Sequence, residues 1–324
     1  QGLSNVLVTG LSGSARPAFI DTIFKALNKP IYIMAPNLLQ GQKMYDDLAK
    51  LLGDDVVHYY PADEFIAADM TVASPELRAA RIETLDHLIH DARGVYIIPI
   101  AGMRKMMQPK EEWKKLRVPL VVGEDVDINA VLEQLVVMGY SRGEMVTSPG
   151  EFALRGGILD VYPPYMETPI RVEFFDTEID SIRTFSADDQ RSIDKLEHMM
   201  ILPATEFVLT KVQRQQLAAR LETALADSLK QVQSDDIKTL LYENIQADID
   251  LLKQAELPDY TNRFGSLLYD KPAFLGDYFA KDGVVIYDEL GRVQEVMEAW
   301  ENEEQEWFLS LIEAGKMVHA VKPS

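Results

Sequence analysis

Residues 6–100 constrain the fold more than any other stretch, because short apolar runs alternate there with amphipathic segments. Residues 6–9, 31–35, 56–60 and 94–100 read as strands, and residues 19–27 and 39–52 as helices between them. A further helix is signalled by Ser74 as N-cap, Pro75 at the first position and Glu76 in the first turn, then Leu77, Ile82, Leu85, Leu88 and Ile89 at helical spacing. Strands separated by helices pair in parallel, so this third of the chain reads as an α/β domain.

The first strand-to-helix junction, "GLSGSARP" at residues 10–17, stands where a phosphate loop would be. A working loop reads G-x-x-x-x-G-K-[ST], its backbone N–H groups cradling phosphates, its Lys reaching them and its hydroxyl binding Mg²⁺. Gly10 and Gly13 remain here, but Ala15, Arg16 and Pro17 occupy the last three positions. Ala cannot take the positive φ open to Gly, Arg is bulkier than an ammonium, and Pro has neither hydroxyl nor N–H. An ordinary Gly/Ser turn is the alternative reading. Far downstream, the apolar residues 284–287 end in Asp288-Glu289, the arrangement by which a P-loop enzyme holds Mg²⁺ and orients water. With the loop degraded, the pair reads as inherited scaffold. No cofactor is expected.

At 324 residues, and roughly 100–200 residues per domain, the chain has material for several cores. It turns charged between Gln108 and Arg117, where a boundary is placed. Residues 127–138 then read as a helix closed by Gly139, followed by short strands between Pro and Gly turns, a small α+β unit. From about Ala204 the pattern is mostly helical, at 212–229, 237–252 and 293–312, interrupted by the strand at 284–287. The expected division is 1–117, 118–203 and 204–324, with the strand near 283–289 rejoining the first domain. The acidic "ENEEQEW" reads as a solvated helix face.

Charge and composition narrow the function. A net charge of −20, from 52 acidic against 32 basic residues, opposes the counterion-release term of nucleic-acid affinity, so little or no DNA binding is expected. The chain has no Cys, and its five His are scattered, with no third ligand visible for His87 and His90, so no metal site is expected. No apolar run reaches the ~18 residues of a membrane span and no signal-peptide layout opens the chain, which therefore reads as cytoplasmic. No Ser/His/Asp order, Cys/His pair, H-E-x-x-H motif or selected carboxylate pair offers a catalytic site. Because the chain opens with Gln rather than Met, it is expected to be a piece of a longer protein.

One strand points to recognition. In "TPIRVEFFDTEIDSIR" alternation puts Ile170, Val172 and Phe174 on one face and Arg171, Glu173 and Phe175 on the other. An aromatic beside an Arg on a polar face has the composition of an interface hot spot; the alternative is that both faces are covered within the chain. Arg155, before Gly156-Gly157, is either held rigidly by a tight turn or a solvated loop cation. Glu151, Asp160, Glu173, Asp176 and Glu178 are available to pair with these arginines, as surface pairs of ~0–1 kcal/mol.

The order of "VTGLSGSARP", "APNLLQGQKMYDDLAKLL", "YYPADEF", "VYIIPIAGM", "SPGEFALRGGILDVYPPYMETPIRVEFFDTEIDSIRTF" and "LPATEF" resembles the N-terminal, UvrB-like module of the bacterial transcription-repair coupling factors, Mfd, over essentially all residues. The departures are the degraded loop and the lack of an obvious counterpart of UvrB's DNA-clamping hairpin. The resemblance implies a degenerate P-loop, helicase-like domain 1A, an inserted domain 2 at about 118–203 that binds UvrA, and a mostly helical domain 1B. It places the UvrA contacts on Arg155, Arg171 and Phe175. It also implies that the RNA polymerase-binding domain and the double-stranded DNA translocase motor lie in parts of the family absent here, and that domain 2 is masked in the full protein. The expectation is a non-enzymatic adaptor that recruits UvrA by mimicking UvrB domain 2. The alternative is a nucleotide-dependent, helicase-like module with residual ATP binding through Arg16, Asp288 and Glu289.

Overall fold

The computed structural model describes residues 5–62, 74–90, 92–254, 256–258 and 261–321. The end of the "YYPADEF" segment, residues 63–65, lies outside them.

Three successive strands, β1 (Ile31–Ala35), β2 (Val57–Tyr59) and β3 (Val95–Pro99), join the distant β14 (Val284–Tyr287) in one parallel sheet of order β14-β1-β3-β2. Alternation along β1 serves both faces. Ile31, Ile33 and Ala35 pack against Ile20 and Phe24 of α1 (Ala15–Leu27) and Met44 and Leu48 of α2 (Leu38–Leu52). Tyr32 and Met34 join Leu85, Leu88 and Ile89 of α3 (Pro75–Ile89). Burial on both faces is the condition of an all-parallel sheet. Helix α3 starts where its signals put it, with the Ser74 hydroxyl accepting from the Leu77 N–H at 3.3 Å and Pro75 in the first turn.

The strand expected at residues 6–9 does not form. Residues 5–12 are irregular, and Val6 and Leu7 are 70% and 80% exposed. The place beside β1 is taken by β14, and the apolar run pairs with no strand among the described residues, since composition alone supplies no hydrogen-bond partner. Helix α1 consequently opens at Ala15, with Arg16 and Pro17 in its first turn, where the missing proline N–H leaves no bond unmade.

The charged stretch at 108–117, where the boundary is placed, is packed: β4 (Met106–Met107) precedes it and α4 (Lys110–Trp113) within it ends in Trp113, which is wholly buried. After it, β5 (Val118–Val121) pairs antiparallel with β12 (His198–Ile201), closing the two ends of the middle unit on each other. Between them lies α5 (Ile128–Val137), capped by the Asp127 carboxylate and ended at Gly139, φ +88°. The remaining strands are β6 (Ser141–Arg142), β7 (Glu151–Arg155), β8 (Ile158–Val161), β9 (Ile170–Phe175), β10 (Glu178–Phe185) and β11 (Ser192–Leu196). They form one sheet of order β11-β10-β9-β8-β7-β6, antiparallel except for β6 with β7. Its inner face, including Phe152, Leu159, Val172 and Ile182, shares one core with Val131, Leu135 and Met138 around α5.

The last third packs α6 (Lys211–Gln231) on α7 (Asp235–Lys253) through Leu217, Leu221, Leu241, Ile245 and Ile249. Helix α8 (Gly265–Leu268) and β13 (Ala273–Phe274), which pairs with β4, lead back to β14, and α9 (Leu290–Glu313) follows. A buried carboxylate just after the middle unit ties that part of the chain to the first domain. Glu206 Oε1 accepts from Arg81 Nε of α3 at 2.7 Å, and its Oε2 from Lys105 Nζ at 3.1 Å. No helix among the described residues is long and apolar enough to cross a membrane.

Candidate interaction site

The outer face of the middle sheet is set by register. Asp160 lies opposite Arg171, and Arg171 opposite Arg183; one row along, Ile158, Glu173 and Ser181 align. Residues opposite each other share a face, so β9 presents Arg171, Glu173 and Phe175 outward while Ile170 and Val172 are fully buried on the inner side. Phe175 is 79% exposed. It stands at the end of a tight hairpin in which Asp176 takes φ +58°, a conformation Asp tolerates better than most residues. The hairpin tip is fastened from behind: Thr177 Oγ1 donates to Asp125 Oδ1 at 2.6 Å, and the Val126 N–H to the Thr177 carbonyl at 2.9 Å.

The arginines do not stand free. Asp160, 1% exposed, accepts at Oδ1 from Arg171 Nε (2.6 Å) and at Oδ2 from Arg171 Nη2 (2.8 Å) and Arg155 Nη2 (2.8 Å). Arg171 also donates to Gln190 Oε1 at 2.8 Å and lies 4.2 Å over the ring of Phe185. Its hydrogen bond to Asp160, opposed by desolvation, holds the guanidinium further into its charged form. These contacts correct the expectation of solvated surface pairs, because the shared carboxylate is buried and loses far more if left unpaired. Arg171 itself is mostly covered, its side chain 13% exposed, whereas that of Arg155 is 47% exposed. Glu173 pairs with Arg183 and accepts from Ser181 Oγ at 2.9 Å. Sequence reasoning missed the organising role of Asp160, the register partner of Arg171; the available signal was an acid in the apolar run Ile158-Leu159-Asp160-Val161.

The degenerate nucleotide loop is brought to the Asp-Glu pair. Gly10 and Gly13 take φ +84° and +53°, and Ser12 and Gly13 carbonyls accept from the N–H groups of Ala15 (3.1 Å) and Arg16 (3.4 Å). Two amides at the end of the loop are thus engaged within the turn. Arg16 spans to the end of β14, Nη1 to Asp288 Oδ1 at 3.3 Å and Nη2 to Glu289 Oε1 at 2.8 Å. Burial raises the Asp288 carboxyl, an effect Arg16 opposes; the hydrogen bond from Arg16 lowers that of Glu289. The loop's own guanidinium therefore holds the two carboxylates that would coordinate a metal. Among the described residues, no group of three or more His, Cys, Asp or Glu is placed to hold a metal ion.

Residues 118–207 match the UvrB interaction domain. Over all 324 residues the chain is 40% identical to the transcription-repair-coupling factor of Bacillus subtilis (strain 168), covering 28% of that protein. It is 36% identical over 322 residues to the protein of the same name from Staphylococcus haemolyticus, and 35% to that of Staphylococcus aureus (strain MRSA252), covering 27% of each. The chain thus spans little more than a quarter of these relatives, and the matched domain carries the outer sheet face described above.

Proposed function

We propose that the chain, which aligns along its whole length with transcription-repair-coupling factors, acts as a non-enzymatic adaptor that recruits UvrA. The observation that carries this reading is the outward face of β9 within the UvrB interaction domain. There an exposed Phe175 stands on a fastened hairpin, beside guanidiniums held in place by a buried carboxylate. An aromatic anchor next to rigid Arg donors is the make-up of an interface hot spot, the ring filling an apolar pocket and the guanidiniums making charge-assisted hydrogen bonds to acidic groups. Arg155, Arg171 and Phe175 are the residues proposed to meet UvrA.

The face would act by presenting to UvrA the surface that UvrB domain 2 presents. The nucleotide-driven alternative is disfavoured by the Arg16 contacts, since the groups that would grip Mg²⁺ and γ-phosphate are already bonded to one another. On this reading, RNA polymerase and double-stranded DNA would be partners of other segments of the whole protein. A competition experiment tests the reading: the chain is expected to displace labelled UvrB from UvrA, and Phe175→Ala to lose that capacity. Simultaneous binding of chain and UvrB to one UvrA site would overturn it.

A further inference from the structure

We infer that Asp160 is the positioning residue of the docking face, fixing both arginines before any partner arrives. The inference rests on the proposed reading of this face. Asp160 is buried on a strand whose neighbours face the core, and a buried carboxylate is retained only if its lone pairs are filled. Three guanidinium N–H groups fill them, two from Arg171 in a bidentate fork and one from Arg155. The fork sets the plane of the Arg171 guanidinium, while the Phe185 ring beneath and Gln190 at the side remove its remaining freedom. The Nη1 group of Arg171 enters none of these hydrogen bonds.

Charge follows from the same geometry. Two guanidiniums share one carboxylate, leaving a single uncompensated positive charge on a chain of net charge −20. Glu173, the acid between Arg171 and Phe175 on the strand, is hydrogen-bonded to Arg183 and Ser181, and its charge also favours the charged form of Arg171. The group on UvrA that fits is therefore one carboxylate lying about 13 Å, four strand residues, from a pocket that takes the Phe175 ring. Without Asp160 the two guanidiniums would repel each other and lose their common anchor, and binding would have to order them at its own expense.

Affinity for UvrA, measured by titration calorimetry on the 324-residue chain, tests the assignment with Asp160→Asn, Arg171→Ala and the double variant, each first shown by circular dichroism to be folded. Asp160→Asn is expected to weaken binding at least tenfold, and the double variant to lose less than the product of the two single losses, because an unanchored Arg171 no longer contributes fully. Wild-type affinity for folded Asp160→Asn, or losses that multiply, would overturn the inference. Should Asp160→Asn fail to fold, the Arg171 Nε–H resonance of the UvrA-free chain decides: slow solvent exchange supports a fixed guanidinium, and exchange like that of a free arginine overturns it. Phe175→Ala separates the two levels. If it binds UvrA as the wild type does, the docking reading falls and the Asp160 role with it; if it loses affinity while Asp160→Asn does not, only the Asp160 role falls.

Discussion

Replacing Glu206 by Gln perturbs the joint between the segment that follows the middle unit and the parallel-sheet domain, and the structure gives the size of the effect. Burial alone would raise the Glu206 carboxyl, but the charges of Lys105 and Arg81 and their hydrogen bonds overcome it and hold the group at about 2, against an ordinary 4.5. At ~1.4 kcal/mol per pH unit, such a depression contributes about 3 kcal/mol to folding at neutral pH. The sign follows from proton binding: the unfolded carboxyl takes up its proton first, so the contribution is complete above pH 4.5 and disappears as pH falls toward 2. Glu206→Gln should cost about 3–5 kcal/mol at pH 7, since two cations lose their buried partner. Urea unfolding of both proteins, followed by circular dichroism, should show that gap shrinking by about 2 kcal/mol at pH 3. An equal gap at the two pH values would refute the ion-pair account and leave only packing at that position.

Phe175→Ala should shift stability by no more than about 0.5 kcal/mol because the ring touches little of its own chain, whereas Phe185→Ala, a fully buried ring under Arg171, should cost about 3–5 kcal/mol; thermal unfolding compares them. His58 stacks on His87 with ring centroids 3.9 Å apart, and burial, then the neighbouring imidazole, hold it neutral down to about pH 3. The unfolded imidazole protonates near pH 6.5, so stability should fall by about 2–3 kcal/mol between pH 6.5 and 4.5, and His58→Phe should flatten that slope in denaturant titrations. Millimolar MgATP should leave the thermal midpoint of the wild type and of Arg16→Ala unchanged. A rise of several degrees in either would show that the loop still holds nucleotide.

Local signals were legible where local chemistry decides. Ser74, Pro75 and Glu76 fixed the start of α3 because capping involves neighbouring residues only. The period-2 alternation of β9 placed Phe175 on the polar face because a strand admits no third direction. What failed was pairing. Residues 6–9 have the composition of a strand, but a strand needs a neighbour, and β14, from the far end of the chain, occupies that place. The same distance hid the ion pairs of Arg16 with a carboxylate 272 positions away, and the Glu206 cluster, whose cations lie 101 and 125 positions upstream. Trp113 sits in the run of charges where a boundary is placed, yet it is wholly buried because one indole outweighs its flanking lysines in apolar area. Asp160 read as one acid among several, since only burial distinguishes an organising carboxylate from a solvated one.

The central claim is that the outward face of β9 docks UvrA. Direct titration of purified UvrA with the chain and with Phe175→Ala, both folded to the same thermal midpoint, tests it most simply. The account predicts saturable binding by the wild type and a loss of about 2 kcal/mol or more, roughly thirtyfold in affinity, on removing the ring. Equal affinities for the two proteins would contradict it.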